Sequence, residues 1–96
     1  MVLRLTQTEM TYLPKVLVGL KQMEEQYLDI CKTNNISNIK LFADNILKLT
    51  HQYPIEVVID YANQLLIQLD CFDIVAIGQS LNGYQSLITQ LEEKVP

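Results

Sequence analysis

The sequence predicts an all-α chain, folded as an antiparallel up-and-down four-helix bundle with a short helical turn at the N-terminus. Apolar residues recur at steps of three and four nearly throughout the 96 residues, and strand-like alternation never holds beyond a few positions. Short links carrying Pro, Asn or Asp separate the amphipathic stretches, and short links make successive helices antiparallel neighbours. The chain is 49% apolar with 3 Gly and 3 Pro, which excludes a disordered tail.

The elements follow in order. Thr6 with Glu9 three residues on forms a capping box, the hydroxyl serving one orphan N–H and the carboxylate reaching back to the cap. Tyr12-Leu13-Pro14 is expected to interrupt this turn, because the residue before proline is pushed out of the α region. The first long helix, about 14–32, then starts at Pro14, a residue suited to the first helical position. Its inner face is Val16, Leu17, Leu20, Met23, Tyr27, Ile30 and Cys31; Lys21, Glu24, Glu25 and Asp29 fill the other side, with Lys21 and Glu25 an i,i+4 pair. Thr33-Asn34-Asn35 punctuates.

Ser37 is expected to cap the second helix, about 38–52. Ile39, Phe42, Ala43, Ile46, Leu49 and Tyr53 line its inner face, and Lys40, Asp44, Lys48 and His51 the opposite one. Pro54 ends it and opens the third helix, about 54–69, along Val57, Val58, Tyr61, Ala62, Leu65 and Leu69. A second apolar edge at Ile55, Ile59, Leu66 and Ile67 suggests neighbours on two sides. Asp73 is a natural N-cap for the fourth helix, about 73–82, over Ile74, Ile77 and Leu81. Asn82-Gly83 is the expected break. Tyr84, Leu87, Ile88 and Leu91 then form a final short helix over about 84–94, or a continuation past a kink. Gly19 and Gly78 lie inside helices, where glycine costs roughly 1 kcal/mol against alanine, so each suggests a close helix crossing.

The chain reads as one domain over 1–96, with no internal repeat. A domain this small buries roughly 60–65% of the surface its unfolded chain exposes, so each apolar stripe matters. Seven Lys+Arg against 11 Asp+Glu give a net charge of −4. That balance argues against nucleic-acid binding and against an anionic lipid surface. No apolar run approaches the ~20 residues of a membrane span, and Met1-Val2-Leu3-Arg4-Leu5 lacks the apolar core of a signal peptide. The expected location is cytoplasmic, without membrane insertion. Cys31 and Cys71 form no short-spaced pair and read as reduced, buried small apolar side chains.

The chemical inventory is thin. One histidine and two cysteines cannot build a structural zinc site without carboxylate help, and no metal or cofactor is expected. No glycine-rich phosphate loop and no paired carboxylates at a catalytic spacing are present. His51 is the only imidazole. Its simplest role is to complement the dipole at a helix C-terminus; its functional one is a general base or phosphoacceptor. Lys40, Asp44 and Lys48 read as a solvated face with i,i+4 pairs, or as a docking surface for a charged partner. The five tyrosines read as core edges, since no basic groove accompanies them.

From Ser37 to Glu93 the chain resembles the histidine phosphotransfer (HPt) domain of multistep phosphorelays. Asn38-Ile39-Lys40-Leu41-Phe42-Ala43-Asp44-Asn45-Ile46-Leu47-Lys48 looks like the helix carrying the family's Ala-His-x-Leu-Lys-Gly motif. Val58, Tyr61, Ala62 and Leu65, followed by Phe72-Asp73-Ile74, look like the hairpin after it. Over residues 5–92 the chain is also similar to a helical region near the C-terminus of some bacterial hybrid sensor kinases and response-regulator fusions. That likeness rests on Leu5-Thr6-x-x-Glu9-Met10-x-x-Leu13-Pro14, Asn38-Ile39, Phe42-Ala43, Tyr53, Tyr61, Leu65-Leu66 and Phe72-Asp73-Ile74. Aligning Asp73 without gaps puts Asp44 where the phosphorylated histidine belongs, and matching Lys48 to the motif lysine puts Asn45 there. The motif glycine is also absent. Phosphotransfer therefore does not carry over, and His51 does not restore it, because Pro54 follows three residues on. The resemblance implies a non-catalytic module of bacterial two-component signalling. It would dock a receiver or histidine-kinase domain, in its own chain or another, through Lys40, Asp44, Asn45, Lys48 and His51. Two alternatives stand beside it: active phosphotransfer on His51, and a structural domain that self-associates as a homodimer through apolar residues left over on the third helix.

Overall fold

The computed structural model describes residues 5–33 and 35–95. Met1–Arg4, part of the stretch that lacks the apolar core of a signal peptide, and the punctuating Asn34 lie outside them. The described residues form five α-helices and no strand: α1 (Gln7–Gln22), α2 (Glu24–Thr33), α3 (Ile36–Gln52), α4 (Glu56–Asp70) and α5 (Ile74–Glu92). Helix α3 packs most extensively on α4, α4 on α5, α1 on both α5 and α3, and α2 on α3. The radius of gyration, 12.9 Å, fits one folded body of this length.

The expected capping box is present, with the Thr6 N–H donating to Glu9 Oε1 (2.9 Å) and the Glu9 N–H to Thr6 Oγ1 (3.1 Å). It opens a 16-residue helix rather than a short turn. Pro14 lies inside α1 and does not interrupt it. The proline is exposed, so water can replace the missing donor. Leu13, Val16, Leu17 and Leu20 are buried on both sides of it and hold the helix in line.

The break falls instead at Met23, between residues the periodicity joined in one helix over 14–32. Met23 closes α1, its N–H shared between the Gly19 and Leu20 carbonyls at 3.2 Å each, and its own carbonyl accepts from Tyr27 (2.9 Å). A tertiary contact explains the position. The Tyr84 hydroxyl donates to the Leu20 carbonyl (2.6 Å), the group that in an unbroken helix takes the N–H of residue 24. The break also dissolves the expected Lys21–Glu25 pair, since i,i+4 spacing means nothing across two helices. Lys21 pairs with Glu92 instead (3.3 Å).

Asn35, not Ser37, caps α3, accepting from the Asn38 N–H (3.2 Å). Pro54 follows the end of α3, and α4 starts two residues later. Its N-cap is Ile55, fully buried and without a side-chain acceptor of its own. Glu9 supplies the acceptor from 47 residues away: its second oxygen takes the Glu56 N–H at 2.6 Å. One carboxylate thus serves two helix N-termini. Burial alone would raise its pKa, but the N–H groups of Thr6 and Glu56 and the Thr6 hydroxyl outweigh that and lower it.

Asp73 caps α5 as expected, accepting from the Ala76 N–H (3.1 Å). The helix does not break at Asn82-Gly83. It runs continuously because Ile77, Leu81, Tyr84, Leu87, Ile88 and Leu91 make one buried stripe across that pair. Burying such side chains contributes about 1.5–3 kcal/mol each, more than the roughly 1 kcal/mol that a helical glycine costs.

Tyr84 anchors the core. Its ring stacks on Tyr27 (centroids 4.9 Å, 30°) and meets Phe42 edge-on (4.9 Å, 68°). Tyr61 stands 6.0 Å away and donates its hydroxyl to the Ser80 carbonyl (2.6 Å). Beside it Ser80 Oγ donates to Gln68 Oε1 (2.6 Å), tying α4 to α5. Gly19 fulfils its expected role: an added Cβ would stand 2.6 Å from a Leu49 methyl on α3. Gly78 does not, for nothing lies within 4 Å of where its Cβ would be. Both cysteines are exposed rather than buried: Cys31 lies in the last turn of α2 and Cys71 in the α4–α5 turn.

Candidate functional site

Helix α3 sorts its residues by burial. Ile39, Phe42, Ala43, Ile46 and Thr50 face inward, and the Thr50 hydroxyl is satisfied by the Leu47 carbonyl (2.8 Å). At 100° per residue, the opposite side of the helix carries Lys40, Leu41, Asp44, Lys48 and His51. Lys40, Lys48 and His51 are exposed and Asp44 is half-buried, so four of the five expected residues share one surface.

Asn45 is set apart from them. Its Nδ2 donates to Gln26 Oε1 on α2 (3.3 Å), so it joins two helices rather than presenting an amide to a partner. Among the described residues no ion pair links Asp44 to Lys40 or Lys48, and the expected i,i+4 pairs are not formed. The ridge presents two separate cations and one carboxylate, with His51 at the C-terminal end of the helix, where a cationic imidazole complements the dipole.

Sequence reasoning overlooked Leu41. It is 56% exposed at the edge of this ridge, next to Lys40 in sequence and one turn from Asp44. The signal was available, since residue 41 falls opposite Ile39, Phe42 and Ile46 on the helical projection and can have no place in the core. An exposed apolar side chain beside charged ones is a feature that a protein-docking patch shares. A second surface was also overlooked, at the end of the molecule where Phe72, Ile74 and Val75 are exposed. Ile74 was expected in the core, but it is 64% exposed in the first turn of α5. Among the described residues no three His, Cys, Asp or Glu side chains come together as a metal site. No helix among them is long and apolar enough to cross a membrane.

Comparison of the chain with protein-family models, with curated proteins and with solved structures finds no significant match in any of the three.

Proposed function

We propose that this chain is a non-catalytic, HPt-like interaction module of bacterial two-component signalling, which docks a receiver or histidine-kinase domain on the outer face of α3. In this reading α1 and α2 together correspond to the first helix of an antiparallel four-helix bundle, and α3, α4 and α5 to the other three. The observation that carries the proposal is the residue on the α3 ridge. In this reading Asp44, or Asn45 if Lys48 is matched to the motif lysine, stands where the motif histidine would be; Asp44 is half-buried, one turn from exposed Leu41, Lys40 and Lys48. A carboxylate there cannot replace the imidazole as an acceptor of the same chemistry, while the exposed leucine and the charges beside it still suit docking.

The test is titration of the labelled protein with receiver domains from the same genome, unphosphorylated and phosphorylated, followed by amide chemical shifts. Shifts centred on Lys40, Leu41, Asp44 and Lys48, and lost in Leu41→Glu, are expected. Shifts that leave α3 untouched would remove the docking face. Stable phosphoryl label on His51, abolished by His51→Gln, would replace the proposal with active phosphotransfer.

A further inference from the structure

We propose that the end of the molecule formed by the α2–α3 and α4–α5 corners is a self-association surface, on which each of two copies seats its Phe72 in the other's apolar recess. The recess, about 280 Å³, is lined by Ile36, Ile39, Ile74, Ile77, Gly78 and Leu81, between the first turns of α3 and α5. Its mouth is apolar: Ile36 is 38% and Ile74 64% exposed. Beside it Phe72 and Val75 are 70% and 72% exposed.

Two backbone features point to an occupant. Phe72 sits at φ 52°, in the left-handed position that ends α4. Its N–H donates to the Leu69 carbonyl and that of Asp73 to the Gln68 carbonyl, both at 3.1 Å, the pairing of a Schellman motif. Glycine is the residue this position favours; a phenylalanine there is unfavourable and stays largely exposed in its own chain. Gly78 is the second feature. It weakens α5 without permitting any close approach, and what it does is leave the wall of the recess without a side chain. A partner that fills the recess and covers Phe72 accounts for both.

The chemistry of this end selects a second copy. Knob and recess lie on the same end of one chain, so a two-fold axis seats each knob in the opposite recess and closes the assembly. The charges next to the two corners differ in sign. Exposed Lys32 stands beside the α2–α3 corner, with exposed Asp29 and Lys40 each one turn back along its helix, and exposed Asp70 and Asp73 flank the α4–α5 turn. The two-fold operation brings each Lys32 toward the partner copy's aspartates. Phe72, Ile74, Val75 and Ile36 expose on the order of 400–500 Å² between them, more than half of the ~800 Å² that each partner brings to a standard interface.

Sedimentation of the whole chain over a concentration series tests the proposal. The expected weight-average mass rises with concentration from 11.0 kDa toward twice that value. Phe72→Gly is expected to weaken association about tenfold or more while raising the melting temperature of the monomer, as loss of an exposed interfacial aromatic from an unfavourable backbone position should. Gly78→Leu, which fills the recess, is expected to do the same to association. Lys32→Glu weakens it, and Lys32→Glu with Asp70→Lys restores it. A mass fixed at 11.0 kDa at every concentration overturns the proposal, as does a Phe72→Gly variant that associates like the parent. A chain that stays monomeric but buries Phe72 when a receiver domain is added assigns the surface to that partner instead. Docking on α3 is read separately by the amide shifts of Leu41 and Asp44, so either proposal can fail alone.

Discussion

Tyr84→Phe isolates a single hydroxyl at the centre of the fold. The parent side chain is fully buried, and its hydroxyl donates to the Leu20 carbonyl at 2.6 Å. Without it that carbonyl keeps only the Met23 N–H, at 3.2 Å and shared with Gly19. The ring remains, and with it the contacts to Tyr27 and Phe42. The expected loss is therefore that of one buried hydrogen bond with its acceptor left under-satisfied, about 1–2 kcal/mol. In a domain of this size each kcal/mol shifts the melting temperature by about 4–8 °C. Tyr84→Ala removes the ring as well and is expected to cost about 3–5 kcal/mol. Urea unfolding followed by far-UV circular dichroism measures both, with the slope unchanged. Amide exchange should also quicken at Met23 and Glu24 in Tyr84→Phe, more than the global loss explains. The alkaline limb adds a second readout. Burial, then the charge on Glu24, raises the Tyr84 pKa, so the folded state keeps the proton that the unfolded chain gives up near pH ~10. That contribution is complete below pH ~10 and is lost as pH climbs from there through the folded value, so the variant should lose less stability in strong base. A Tyr84→Phe protein with the parent's urea midpoint and the parent's exchange at Met23 would refute the latch.

Two further outcomes concern the helix ends and glycines. Glu9→Gln is expected to cost about 0.5–2 kcal/mol at neutral pH, because one carboxylate caps both α1 and α4. Its folded pKa is lowered, so this contribution is present above the ordinary glutamate range and disappears as pH falls through the folded value. The parent should therefore lose its advantage over the variant in acid, as thermal melts at stepped pH would report. Gly78→Ala should stabilise by up to about 1 kcal/mol, since the added methyl meets nothing. Gly19→Ala should gain less than that or lose stability, because Leu49 must turn away from a Cβ at 2.6 Å; denaturant midpoints of the pair decide it.

What could be read along the chain was what local chemistry decides. Thr6 with Glu9, Asp73, and the proline after Tyr53 all mark boundaries through groups within a few residues of one another. The reading failed where distant residues decide. Met23 bears no mark of a helix end, and α1 stops there because a tyrosine 61 residues later takes the Leu20 carbonyl. Pro14 and Asn82-Gly83 carry strong local marks, and both are overridden by buried stripes that continue past them. The second oxygen of Glu9 could not be foreseen, since nothing near Thr6 reveals that the α4 N-terminus lies within reach. On α3 the failure was of a different kind. Helical geometry puts Lys40, Asp44, Lys48 and His51 on one side of α3, and the same projection places Leu41 at the edge of that side, where charge patterning gives no sign of it.

The two surfaces differ in what they take from the fold. The α3 ridge takes almost nothing, because solvated lysines and one exposed leucine leave the buried side of the helix intact. The Phe72 end is different. A glycine at 72 and an alanine at 78 would each stabilise the isolated chain by roughly 1 kcal/mol, in a small domain whose whole stability is on the order of 5–15 kcal/mol. Neither present residue gains anything inside the chain in return: Phe72 is 70% exposed and Gly78 has open space before it. Substitutions of that size accumulate readily when no other demand opposes them. Their coincidence around one recess, with Lys32 beside one corner and Asp70 and Asp73 beside the other, makes that end the place where the demands of a partner weigh most against those of the fold.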